Sequence, residues 1–208
     1  MAQSVASPAH HAEPGEPAVH TSTGLSNVKL GMWAFLGSEC LLFGALISSY
    51  ILYRGRAVGA TKTPHQVYDI PYTSVSSFVL LMSSLTMVLA LAAIQRGDQE
   101  KLRAWLMATA LLGMTFIAGQ VYEFTRFVQG GLSIKSNAAA SAFFTLTGFH
   151  GAHVTGGILM LLSLFGMSLD GRLPTERAET VELVGLYWHF VDIVWIVIFT
   201  VVYLIPAK

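Results

Sequence analysis

Cysteine is almost absent from this chain, and charge is scarce. The lone Cys40 among 208 residues excludes an internal disulfide framework and any all-cysteine metal site. Its place in an apolar run suits a small buried side chain. Charged residues make up 12% of the chain, against roughly 25% in soluble domains, while 53% of it is hydrophobic. Net charge is zero, and no basic stripe exists to neutralise nucleic-acid phosphates, which argues against a nucleic-acid partner. No proline falls inside a long apolar run. There is no nucleotide-binding loop, no Cys–His cluster and no nucleophile with a positioned base. No internal repeat is visible either, which disfavours an inverted-repeat transporter.

Long apolar runs, by contrast, dominate. Five of them occur, over residues 30–53, 73–95, 104–128, 138–168 and 182–205. Each is long enough to cross a hydrocarbon core of about 30 Å at about 1.5 Å per residue. Charged, Gly- and Pro-bearing segments separate them, as expected of interfacial loops. Helices are the natural reading, because a span in lipid must satisfy its own backbone hydrogen bonds. The expectation is therefore an all-α, polytopic membrane protein with five transmembrane helices in one bundle. Residues 1–28 read as a flexible tail and 29–208 as the five-helix domain. His10, His11 and His20 lie in that tail and read as solvated side chains.

Orientation is balanced. With the N-terminus inside, Lys and Arg residues divide six against six between the two sides. Only the concentrated basic segment RGDQEKLR leans toward a cytoplasmic N-terminus.

Ionisable residues inside the spans are the informative ones, because lipid penalises them. Glu39 stands about 15 Å into the first span. His150 and His153 share a face of the fourth, three residues apart, and His189 and Asp192 do the same in the fifth, beside Trp188 and Trp195. Depth counting places all five at about 8–15 Å from one side, so they can meet in one polar layer. The first reading of such a layer is structural: polar pairs hold helices in register, and Gly148, Gly151, Gly156 and Gly157 let helices approach closely. Proton relay through Glu39 and metal or haem ligation by the histidines stay open as alternatives. Near the opposite interface, Glu123 can pair with Arg126 among Tyr122, Phe124 and Phe127. That pair reads as a helix-end anchor or a lipid-headgroup contact, and Arg54 and Arg56 invite the same two readings.

The motifs GMWAFLGSECLLFGALISSYILYR, GQVYEF, SAFFTLTGFHGAHVTGGI and YWHFVDIVWIVIFTVVYLI resemble those of subunit III of the haem-copper terminal oxidases. They occur in the family's order and cover nearly everything beyond the tail. The resemblance is to the five-helix bacterial form of cytochrome c oxidase subunit 3, which lacks two leading helices of the longer version. It implies a plasma-membrane protein with a cytoplasmic N-terminus and a periplasmic or extracellular C-terminus. It implies no haem or copper in this chain. Those centres belong to subunits I and II, the implied partners, which reduce oxygen to water and pump protons. Bound phospholipid, support of proton uptake and durability in turnover are the implied roles, with a respiratory supercomplex as a further partner class. Glu39 falls on the family's buried, carbodiimide-reactive glutamate. His150, His153, His189, Asp192 and Glu123 fall on its signature positions, where the resemblance implies that the histidines are structural partners. The electron donor, cytochrome c or quinol, stays open. Glutamate in GSEC slightly favours cytochrome c, because some quinol relatives carry aspartate there. A related accessory protein of nitric oxide reduction is a more remote option. A proton-coupled transporter using Glu39 and Asp192 is the rival of a different class, and it predicts discontinuous helices.

Overall fold

Among the described residues five apolar helices form, and each starts at or before the apolar stretch that announces it. The computed structural model describes residue 24, residues 26–54 and residues 70–205. The tail histidines, Arg56 and most of the first loop lie outside the described residues. The helices are α1 (Asn27–Arg54), α2 (Ile70–Gln95), α3 (Gln99–Gln129), α4 (Ala138–Leu169) and α5 (Ala178–Phe199). A short 3-10 turn, Thr175–Arg177, precedes α5, and a π-helical turn, Thr200–Leu204, continues it. All five are long and apolar enough to cross a membrane.

Local chemistry sets the ends. Pro71 sits in the first turn of α2, where its missing N–H is harmless and its fixed φ favours helix. Asp98 caps α3 by accepting from the Lys101 backbone N–H at 3.1 Å, and Asn137 caps α4 by accepting from that of Ala140 at 2.7 Å. At the end of α2, Gly97 takes φ +74°, a left-handed conformation that a side chain disfavours. There Gly97 N–H donates to Ile94 O and Asp98 N–H to Ala93 O, a Schellman closure. The same hydrogen-bond pair closes α3 and α4. The α2–α3 connection is consequently very short, and the two helices pack as an antiparallel hairpin.

Packing runs α4–α3–α2–α5, with α5 also touching α4 to close a four-helix group. Helix α1 lies against α4 and α5 at its flank. Only 11% of its apolar window is buried inside the chain, against 33–44% for the other four. The core between helices is aromatic and aliphatic, with Phe43, Phe116, Phe143, Trp188 and Tyr203 all buried. Outward faces are apolar too: Leu41, Val75 and Leu159 are each at least 60% exposed, a surface suited to lipid or to other membrane helices. Cys40 belongs to that outer face and is exposed, so it is not the buried side chain its apolar context suggests.

Candidate polar site within the bundle

Glu39 projects from α1 toward α4, where its Oε2 meets Nε2 of His153 at 3.1 Å. Both side chains keep some exposure, 15% and 17%, so this carboxylate lies at a seam and is not sealed in the core. Nδ1 of His153 lies 2.8 Å from the Phe149 carbonyl oxygen. A carbonyl can only accept, so Nδ1 carries a proton. The contact at Nε2 then needs one more proton, held either by the imidazole or by the carboxyl. In both forms the pair is electrically neutral and holds one proton between Nε2 and Oε2.

A second group joins α2 to α5. Ser84 donates its hydroxyl proton to Oδ2 of Asp192 at 2.5 Å, and its oxygen lies 3.2 Å from Nδ1 of His189. With its own proton committed to Asp192, Ser84 accepts from Nδ1–H of His189. Serine thus stands between histidine and aspartate. A hydrolytic triad needs histidine in that middle place, so this geometry provides no activated nucleophile. Two indoles flank the group: Trp188 donates to Ser83 Oγ at 3.0 Å and Trp195 to Ser77 Oγ at 2.8 Å.

His150 makes neither contact. It is completely buried, stacked on Trp195 at 4.9 Å between centroids, with Phe116 and Phe43 edge-on to it. The five residues expected in one layer are therefore distributed over three places: a Glu39–His153 pair, a His189–Ser84–Asp192 chain and a His150 box. Among the described residues, no hydrogen bond links these three places. Among the described residues, no group of three His, Cys, Asp or Glu side chains is placed to hold a metal ion.

Toward the other end of the bundle, Glu123 is buried and accepts from Thr73 Oγ1 at 2.7 Å and from the Tyr203 hydroxyl at 3.2 Å. The expected Glu123–Arg126 ion pair does not form. Burial turns Glu123 inward to two hydroxyls, while Arg126 turns outward, bonds the Tyr122 hydroxyl at 3.2 Å and lies over its ring. Arg54 reaches across to the end of α5 and donates to the carbonyl oxygens of Val201 at 2.8 Å and Ile205 at 3.2 Å. The reason is local. Ile205 N–H bonds Thr200 O in the π turn, and residue 206 is proline, with no N–H for the Val201 carbonyl. A cationic side chain suits such orphan carbonyls at a helix C-terminus.

Several partners were not singled out from sequence. Ser77 and Ser84 are seven residues apart on α2, so they share a face, and that spacing was the readable signal. Gln120 lies in GQVYEF yet serves the core, donating to Thr147 O at 2.8 Å. Lys29 pairs with Glu182 at 2.5 Å and ties the start of α1 to the start of α5.

The chain matches the family described as cytochrome c oxidase subunit III over residues 11–206. It is 37% identical over 191 residues to cytochrome c oxidase subunit 3 of Bacillus sp. (strain PS3), covering 92% of each chain. To quinol oxidase subunit 3 of Bacillus spizizenii it is 35% identical over 197 residues, covering 94% of this chain and 96% of the relative. To cytochrome bo(3) ubiquinol oxidase subunit 3 of Pseudomonas aeruginosa it is 35% identical over 195 residues, covering 94% and 93%. Taken with the five apolar helices, these matches establish that the chain belongs to the cytochrome c oxidase subunit III family and is a multi-pass membrane subunit of a haem-copper oxidase.

Proposed function

We propose that this chain is the non-redox third subunit that packs on subunit I of its oxidase, beside subunit II, binds phospholipid along its outer faces, and supports proton uptake and turnover stability through Glu39. The observation that carries this reading is the Glu39–His153 contact. It holds one proton in a neutral pair, at a seam between α1 and α4 that is still partly open. A pair of that kind can pass its proton between Nε2 and Oε2 without placing a net charge in lipid, and it becomes charged only when it hands that proton on or takes a second one. The haem and copper centres lie in the partner subunits, and this chain contributes no catalytic residue. Arg126, exposed beside Tyr122 at the end of α3, is the side chain best placed to meet a lipid headgroup. The folded unit is taken as residues 29–208, with the tail of residues 1–28 and the N-terminus of α1 on the cytoplasmic side of a bacterial plasma membrane.

Both cytochrome c and quinol oxidase subunits are among the relatives, so a quinol oxidase is the second reading, and partner subunits decide the donor. The transporter reading is not favoured, because α1 to α5 run unbroken and the single π turn falls at the end of the last span.

Purification of the chain in mild detergent tests the assignment. The expected result is co-purification with a haem-bearing subunit, haem bands in the absorption spectrum, and a second subunit whose copper content indicates the donor. A colourless chain purifying alone would overturn the proposal. Within the intact oxidase, Glu39→Ala is expected to leave haem content intact but to slow proton uptake or shorten working life. Unchanged activity, lifetime and proton stoichiometry would confine Glu39 to packing.

A further inference from the structure

Among the described residues, three polar side chains carry buried atoms that no protein group satisfies: Asp192, and the neighbouring Gln120 on α3 and His150 on α4. Gln120 on α3 spends its amide N–H on Thr147 O of α4, while its Oε1 has no hydrogen-bond partner in the protein. That oxygen faces Gly151, where a Cβ would stand 2.9 Å from it. His150, the residue before Gly151, is 0% exposed, and neither of its ring nitrogens meets a protein group. Phe116, one turn before Gln120 on α3, touches the His150 ring at 5.9 Å between centroids, and Gly151 follows His150 directly, so the two side chains lie within about one helical turn of each other.

The aromatic neighbours do not remove the need for a partner. Trp195 covers a face of the imidazole and the two phenylalanines approach it edge-on, whereas imidazole hydrogen bonds are made in the ring plane. A neutral imidazole carries one donor and one lone pair, and leaving both unmet in a low-dielectric core is strongly unfavourable. Inverting the Gln120 amide gives no relief, because Oε1 would then face the Thr147 carbonyl, acceptor against acceptor. Two ligands of this kind do not make a metal site, but they suit a molecule able to donate twice, or to donate and accept. We propose that the core binds an ordered water between His150 and Gln120. It donates to Oε1 and completes one ring nitrogen of His150, whichever tautomer is present. Gly151 lets the Gln120 amide lie against α4, since a Cβ there would stand 2.9 Å from the amide oxygen and push it out of place.

A map of the intact oxidase in lipid nanodiscs, at a resolution that shows ordered water, tests this directly and independently of redox activity. The expected result is a peak at about 2.6–3.2 Å from both Gln120 Oε1 and one His150 nitrogen. Direct contact between the two side chains at hydrogen-bond distance, or continuous packing with no peak, would overturn the proposal. The unaltered complex decides, so nothing hangs on a variant that fails to assemble. As a second measurement, Gly151→Ala is expected to abolish the peak and displace the Gln120 amide. Persistence of the peak in that variant would remove the role assigned to Gly151.

Discussion

At the scale of single residues, the membrane spans hold their polar groups as small, nearly closed sets, and the two carboxylates nearest the bundle middle differ in what they can do. Glu39 shares a proton with His153, so its two conservative replacements separate packing from proton chemistry. In Glu39→Gln the amide can still donate to Nε2, preserving the α1–α4 contact while removing the exchangeable proton. The expected outcome is normal haem content and complex yield with impaired proton uptake, whereas Glu39→Ala loses both contact and proton. If Glu39→Gln behaves as the unaltered enzyme in proton stoichiometry and lifetime, the contact alone matters. Asp192 instead receives the Ser84 proton inside the α2–α5 seam. Asp192→Ala leaves the Ser84 hydroxyl without its acceptor and frees Ser84 to turn away from His189, a loss of about 1–3 kcal/mol. Yield of the assembled oxidase should fall, with Asp192→Asn intermediate, and undiminished yield for Asp192→Ala would show that the chain is dispensable. Sequence identified Glu39, His150, His153, His189 and Asp192 as the polar residues of the spans, but not their grouping. Depth follows from counting residues, while partnership depends on helix rotation, which a uniformly apolar span does not encode.

At the scale of elements, all five spans were legible because length and hydropathy suffice to define a membrane helix. Their ends were not. Helix α3 begins at Gln99, five residues before its apolar run, because Asp98 caps it and a helix continues through polar residues once capped. The apolar run at the end of α5 gave no hint of the π turn, whose Val201 carbonyl and that of Ile205 just after it accept from Arg54 arriving from α1. Two predictions belong here. Asp98 is held below its ordinary value of 3.8, chiefly by the Lys101 side chain and then by the Lys101 backbone N–H. A depressed folded-state value means stabilisation present above about pH 4 and lost as pH falls through the folded value. Thermal stability of the complex should therefore lose an Asp98-dependent part in acid, and Asp98→Asn, which still caps but does not titrate, should flatten that part of the profile. An unaltered profile would mean that the Asp98 charge, as distinct from its cap, does not contribute. Arg54→Met should fray the end of α5 and raise amide hydrogen exchange at residues 200–205. Unchanged exchange there would show that those carbonyls find another donor.

At the scale of the whole molecule, one side chain reaches four of the five helices. Trp188 projects from α5 between α3 and α4, and its N–H reaches Ser83 on α2, so four helices meet at one indole. The glycines opposite it explain how the ring fits. A Cβ at Gly113 would stand 2.6 Å from the indole and one at Gly157 would stand 2.7 Å from it. The sequence suggested close approach at Gly157 but gave no reason for Gly113, since the obstacle lies on a helix some seventy residues away. The α1 glycines Gly31, Gly37 and Gly44 meet nothing within 4 Å, consistent with a helix attached only at the flank. Close packing at Trp188 predicts that Gly113→Ala and Gly157→Ala each destabilise the chain by about 1–3 kcal/mol through overpacking. Because both collide with the same ring, their effects should be non-additive. Trp188→Leu removes the obstacle at its own expense in stability, and in that background either alanine should become neutral or mildly favourable by filling space. Thermal inactivation of the oxidase, measured over the double-mutant cycles, reads the coupling. Equal losses from the alanines with and without the indole would show that Trp188 is not what holds α3, α4 and α5 together.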